Sequence, residues 1–215
     1  MIVRLCVCLG LVPLLSGLVT VVEPTERLSK RILFVVDVSG SMQGDKFAAA
    51  CQAVTQALQQ PVDELEIAVL AFNDTTSRWK GVPEAAREGR HAVPEGWAAL
   101  PSQEAVEQAS AFLLEAGADG DTLVIPALEA ALKEGRKELS IVLVTDGIFQ
   151  RETGDEVLAA FEAGQRRREE RGLGPALLMV YGVGSEADVL SRLGRAGKGG
   201  YLRESLGAID PAAAR

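Results

Sequence analysis

The chain has 215 residues, a net charge of −8 and a pI near 4.9. At 47% hydrophobic and 24% charged it can bury a sizeable core, which excludes a disordered chain. The acidic balance argues against a nucleic-acid partner, which calls for a basic face, and weakens attraction to anionic lipid. The length fits one domain with a short appendage.

Residues 1–22 stand apart from the rest. Arg4 is their only charged side chain, the run from Leu5 to Val22 is uncharged, and Glu23-Pro24-Thr25-Glu26-Arg27 follows at once. Such a segment reads as a secretory signal peptide or a retained amino-terminal membrane anchor. The protein is therefore expected to be exported, either secreted or held at the membrane by this segment alone. Pro13, Ser16 and Gly17 favour cleavage, although no Ala-x-Ala site is present, and Cys6 and Cys8 come too early for a lipoprotein signal. A buried first strand of the domain is a third reading. Residues 23–30 read as a polar linker, 31–206 as the folded domain and 207–215 as an Ala-rich tail. Cys51, on the apolar stripe of a helix, reads as a packed, inert thiol.

The domain opens with Ile32-Leu-Phe-Val-Val-Asp37-Val, apolar except for Asp37, which is the pattern of a strand buried on both faces. A helix is expected over 45–60, with Phe47, Cys51, Val54 and Leu58 at helical spacing, and a second strand over 65–72. Thr75 to Trp79 suits an edge strand, and Arg90 to Trp97 reads as irregular surface. Ser102 is placed to cap a helix to about Ala116, with Val106, Ala109, Phe112 and Leu113 inward. Further helices are expected over 123–134, 155–171 and 187–196, and strands over 139–145, 176–181 and 199–202. The Arg166–Arg171 run mixes signs and reads as a solvated face. This alternation implies an α/β fold: a doubly wound, mostly parallel sheet of about six strands with helices on both faces.

Asp37, Ser39 and Ser41 fall at alternate positions where the first strand ends, and Gly40 and Gly44 let the chain turn around them. Ligand sites of doubly wound sheets form beyond the carboxyl ends of the strands. One carboxylate and two hydroxyls converging there suit a hard cation such as Mg²⁺. Alone, the spacing also fits an ordinary turn. Two further pieces lie where such a site needs them. Gly120-Asp121-Thr122 precedes a helix, and Ile141-Val-Leu-Val-Thr-Asp146-Gly147 is a second buried strand ending in Asp and Gly.

With these residues in view, the chain resembles the von Willebrand factor type A family over roughly residues 30–206. That family's metal-ion-dependent adhesion site is an Asp-x-Ser-x-Ser loop completed by a Thr and an Asp from two later loops. The resemblance implies a metal set of Asp37, Ser39, Ser41, Thr122 and Asp146 holding Mg²⁺, with Mn²⁺ or Ca²⁺ as substitutes. Ser39 and Ser41 are then direct ligands, Asp37 holds bound water and orients the serines, and Asp146 acts through water. The resemblance also implies the sheet order, a short antiparallel edge strand and a protein partner that gives an Asp or Glu carboxylate to the ion. Asp121 departs from the family's commoner loop and, with Asp119, is expected to point to solvent.

Enzyme readings find less support. Asp119-Gly-Asp121-Thr122 resembles the nucleophile loop of haloacid-dehalogenase-type phosphatases, but such a loop must follow a buried strand and this one follows a helix. His91 is the single histidine, in a Pro/Gly-rich segment, and no Gly-x-Ser-x-Gly elbow exists for a serine hydrolase. Gly182-Val-Gly184 mimics a dinucleotide fingerprint without the acidic residue that would read the ribose. The reading is a binding module without catalysis of its own. The alternatives are a hydrolase using the same ion as Lewis acid and a structural domain with an idle metal site.

Overall fold

A computed structural model describes residues 18–59, 64–83, 92–184 and 187–204. Cys6, Cys8, His91, residues 1–17 of the expected leader and the tail lie outside the described residues.

Among the described residues eight strands form one open sheet: β1 (Leu18–Val22), β2 (Arg31–Asp37), β3 (Leu65–Phe72), β4 (Thr76–Arg78), β5 (Ala98–Leu100), β6 (Leu139–Thr145), β7 (Leu177–Val183) and β8 (Lys198–Glu204). The spatial order is β1-β8-β7-β6-β2-β3-β4, with β5 also paired to β3. Four pairings are parallel: β2 with β3, β2 with β6, β6 with β7 and β7 with β8. The short β1, β4 and β5 run antiparallel to their neighbours. The fold is thus the expected mostly parallel α/β sheet, with more strands than expected. Thr76–Arg78 is the anticipated antiparallel edge, while β1 and β5 are additions.

Both additions correct expectations at particular residues. The last stretch assigned to the leader, Leu18–Val22, pairs with β8, Leu18 opposite Glu204 and Val22 opposite Tyr201. The sheet therefore begins ahead of the expected boundary at residue 31. Trp97, expected on an irregular surface, is buried, and Ala98–Leu100 beside it pairs with Leu65–Ile67.

Among the described residues five α-helices cover the sheet: α1 (Asp45–Leu58), α2 (Gln103–Ala116), α3 (Val124–Leu132), α4 (Gly154–Glu170) and α5 (Asp188–Ala196). Strand residues alternate between two cores, as a pleated strand covered on both sides must. Ile32, Phe34 and Val36 of β2 pack with Ala53 and Val54 of α1 and Ala109 and Leu113 of α2. Leu33 and Val35 pack on the other side with Leu128 of α3, Phe161 of α4 and Leu193 of α5. In α1 the inward face is Ala50, Ala53, Val54, Ala57 and Leu58. Phe47 and Cys51, expected on that stripe, sit at its edge and are only partly buried. No described helix is long and apolar enough to cross a membrane.

One helix start holds as expected and a second was not anticipated. Ser102 accepts the amide of Ala105 at 3.2 Å and caps α2. Thr153 and Glu156 form a reciprocal capping box at the start of α4.

The order of the parallel strands fixes where a site can form. From β2 the chain moves one way to β3, then returns to β6 on the other side and continues outward to β7 and β8. The reversal lies between β2 and β6, and the crevice beyond their carboxyl ends is the topological switch point. Asp37 ends β2 and Asp146 follows β6 directly.

Candidate metal centre

Four of the five expected residues form one hydrogen-bonded chain at this switch point. Asp37 is fully buried; its Oδ1 accepts the Ser39 amide at 2.9 Å and its Oδ2 accepts the Thr145 hydroxyl at 2.6 Å. The Ser39 and Ser41 hydroxyls lie 3.1 Å apart. Ser41 donates to Oδ1 of Asp146 at 3.3 Å, and that oxygen also accepts the Ile148 amide at 3.0 Å. The turn is tight because Gly40–Met42 forms a single 3₁₀ turn, with Met42 buried beneath it.

The fifth residue, Thr122, belongs to a loop laid directly against the first. Gly40 donates to the Gly120 carbonyl at 2.9 Å, and Asp119 donates to the Val38 carbonyl at 2.9 Å. A β-carbon at Gly40 would meet the Gly120 oxygen at 3.2 Å, so the close approach depends on glycine there. Asn73, after β3, ties in a third segment: its side-chain amide donates to the Asp119 carbonyl at 3.0 Å and its own carbonyl accepts the Leu123 amide at 2.9 Å. Thr122 is fully buried, and its hydroxyl has no hydrogen-bond partner among the described residues.

The electrostatics are unbalanced toward negative charge. Burial pushes the Asp37 carboxyl above its ordinary range; hydrogen bonds from Ser39 and Thr145 oppose that push, and the nearby Asp146 charge adds to it. Asp37 has no cationic partner among the described residues. Asp146, also fully buried, has one in Lys46, whose Nζ lies 2.7 Å from Oδ2. Among the described residues no group of three or more His, Cys, Asp or Glu side chains is placed to hold a metal. An ion here must therefore rest on hydroxyls as well as carboxylates, a donor set of oxygens alone that suits Mg²⁺ better than a soft metal.

Several residues at the site were not anticipated. Lys46, in the first turn of α1, follows the Asp37–Ser41 loop but belongs to no expected motif. Thr145 immediately precedes Asp146 and, as the last residue of β6, carries no signal of its own in the sequence. Glu152 accepts the Val124 amide at 2.6 Å and the Ile125 amide at 3.1 and 3.2 Å, holding the start of α3 just past Thr122. Burial raises its pKa while these amide bonds oppose the rise. Asp121, expected to face solvent, is partly buried and ion-paired to Arg151. Arg151 and Glu152 thus link the Asp146 loop to the Thr122 loop, and no local pattern announces either contact. Asp119 is exposed as expected, with its carboxylate on the Gly120 amide at 2.8 Å.

Family comparison bears on the domain as a whole. The model of the von Willebrand factor type A domain matches residues 30–202. The chain belongs to the von Willebrand factor type A domain family. Among solved structures it is similar to a von Willebrand factor type A protein from Catenulispora acidiphila, at 18% identity and a TM-score of 0.57, over 84% of this chain and 40% of that one. The ArnB paralog VWA2 from Sulfolobus acidocaldarius matches at 12% identity and a TM-score of 0.46, over 89% of this chain and 48% of that one. The chain thus spans less than half the length of either protein, and the likeness to the Catenulispora acidiphila protein, at 18% identity, concerns the fold. No curated protein matches the sequence. Type A domains are, as a class, protein-interaction modules, and the open sheet described above is their fold.

Proposed function

We propose that this type A domain is a binding module that holds Mg²⁺, or Mn²⁺ or Ca²⁺ in its place, at Asp37, Ser39, Ser41, Thr122 and Asp146. Through that ion it engages an Asp or Glu carboxylate of a protein partner, without catalysis of its own. The observation that carries this reading is the Thr122 hydroxyl, which is buried, has no hydrogen-bond partner among the described residues and belongs to a loop hydrogen-bonded to the Asp37–Ser41 loop. An unsatisfied buried hydroxyl costs about 1–3 kcal/mol, so its retention calls for a ligand.

In this reading Ser39 and Ser41 present hydroxyl oxygens to the ion, while Asp37 orients the loop by holding the Ser39 amide and is itself held by Thr145. Thr122 supplies the third hydroxyl. The ion, when bound, supplies an open coordination position for an anionic oxygen. The protein's part is to keep the Asp37–Ser41 loop and the Thr122 loop in register through the Gly40–Gly120 and Val38–Asp119 hydrogen bonds.

Export belongs to the same proposal, with the apolar segment ahead of the domain as signal or anchor. Because Leu18–Val22 is a strand of the sheet, cleavage that leaves the domain whole falls at or before Leu18. Mass spectrometry of the mature amino terminus reads this directly.

The test of the metal reading is calorimetry with Mn²⁺ on the full chain. One ion is expected to bind, and Asp37→Ala is expected to weaken it by about 100-fold or more while circular dichroism stays unchanged. Equal affinity in the two proteins would place any ion elsewhere. Capture of a partner in Mg²⁺ but not in EDTA then tests the carboxylate bridge.

A further inference from the structure

Lys46 stands in an electrostatically unfavourable place. It is the second residue of α1, where the unpaired amides of the first turn make a helix end positive and favour acidic side chains. Asp45 beside it follows that preference. The Lys46 ammonium instead reaches back over the loop, donating to the Ser41 carbonyl at 3.2 Å and to Asp146 Oδ2 at 2.7 Å. Its side chain is only 25% exposed, and Asp146 is not exposed at all. The other oxygen of Asp146 is occupied by Ser41 and Ile148. Asp146 thus has a cation supplied by the chain itself, while Asp37 has none and the Thr122 hydroxyl has no hydrogen-bond partner among the described residues.

We infer that Lys46 is the built-in counter-cation of this site. In the metal-free protein it holds Asp146 and the Ser41 loop in place. When a divalent ion binds, the ammonium opposes it, so Lys46 sets how tightly the ion is held. The inference rests on the metal reading above. Its physical basis is charge: two carboxylates and one ammonium leave a single negative charge, which a divalent ion turns into a single positive one. One partner carboxylate neutralises that excess, whereas without the ammonium the loaded site would already be neutral. Lysine suits this role as a compact point charge with donors only, able to bridge a carbonyl and a carboxylate from one stem.

The experiment compares wild type with Lys46→Met, Lys46→Gln and Lys46→Arg in the full chain, by Mn²⁺ calorimetry and by thermal melting in EDTA and in Mn²⁺. Lys46→Met and Lys46→Gln are expected to bind Mn²⁺ about tenfold tighter, since a nearby like charge has gone. In EDTA they are expected to melt about 3 °C lower, since Asp146 has lost its partner. Mn²⁺ then raises their melting temperature by more than it raises that of wild type, and Lys46→Arg stays near wild type in all three measurements. Lys46→Gln keeps a donor for the Ser41 carbonyl and carries the comparison if the methionine variant does not fold. Binding by Lys46→Met or Lys46→Gln but not by wild type supports the inference in its strongest form, with the ammonium standing in for the ion. Binding of equal strength in wild type and both neutral variants overturns the inference and leaves the metal reading intact. No binding by any of them, with cooperative melts, overturns both.

Discussion

The two ends of the sheet treat buried polar groups in opposite ways. At the amino ends of β2, β3 and β6 the charges are matched within the protein. Arg31 lies 3.3 Å from Glu66, which Arg136 also engages, and Arg136 stands 5.1 Å above the Trp97 ring. Arg168, fully buried, gives hydrogen bonds to four carbonyls: Glu134 and Arg136 at 2.7 Å, Gly174 at 3.2 Å and Leu132 at 3.4 Å. A cavity opens at this end, lined in part by Arg31, Glu66 and Ser140, and the first two of these are already paired. At the carboxyl ends the matching is incomplete: Asp37 has no cation and Thr122 no hydrogen-bond partner among the described residues. Saturated polar groups stabilise the fold, while unsaturated ones at a switch point leave valence for a ligand. The proposed metal centre is marked by incomplete satisfaction of its polar groups and not by this cavity.

The largest effect expected from this contrast lies at the saturated end. Arg168→Met keeps an apolar stem of similar length but leaves the carbonyls after α3 buried without a donor. It is expected to lower stability by about 3 kcal/mol, read from urea denaturation, and to leave Mn²⁺ affinity unchanged. A loss below about 1 kcal/mol would mean that water can replace the guanidinium, so that the amino end is less closed than its hydrogen bonds imply.

A smaller effect is expected where the two functions meet. Gly147 follows Asp146 with φ at 73°, and a β-carbon there would lie 2.8 Å from Ala187 Cβ and 3.0 Å from Leu190. Gly147→Ala therefore combines a strained backbone with a collision against the start of α5. About 2 kcal/mol of destabilisation is expected. Unlike Arg168→Met it is also expected to weaken Mn²⁺ several-fold, because Asp146 must move with its neighbour. Loss of stability with unchanged ion affinity would show that Asp146 is positioned by Lys46 and Ser41 alone.

How much of this was legible in the sequence depends on the range of the interaction. The β2 run, the Asp37–Ser41 loop and Asp146 were readable because a strand buried on both faces has its own local signature, and the site residues interrupt or end it. The Gly120–Thr122 stretch stands out in the sequence, but only family resemblance makes Thr122 a ligand, since Gly-Asp-Thr before a helix is common chemistry for a turn. Leu18–Val22 is an apolar run whether it crosses a lipid bilayer or lies on a sheet edge; only its pairing with β8 distinguishes the two. Ala98–Leu100 is too short to show alternation. Arg168, fully buried, departs from the solvated face expected of the Arg166–Arg171 run. Within the charged run it continues the stripe of Val157, Phe161 and Gly164 at helical spacing, so position rather than residue type predicts its burial. Lys46 and Glu152 act on residues brought near by folding, and nothing local marks them.

The last comparison removes the feature that sets the carboxyl end apart. Thr122→Val replaces a hydroxyl by a methyl group of nearly the same volume, so packing against the neighbouring loops is kept. If the hydroxyl has no partner in the metal-free protein, its removal relieves a buried unsatisfied group. The variant should then be more stable than wild type in EDTA, by about 1 kcal/mol. In saturating Mn²⁺ the order should reverse, because wild type gains the stabilisation of a bound ligand and the variant, having lost a donor oxygen, gains less. Two urea denaturation curves for each protein, with and without Mn²⁺, measure both differences. The crossing of the two stabilities is the decisive outcome, since no purely structural role for Thr122 produces a change of sign with metal. A variant less stable than wild type in both conditions would show that the hydroxyl is satisfied within the protein, by water or a neighbour. The carboxyl end of the sheet would then be as saturated as the amino end.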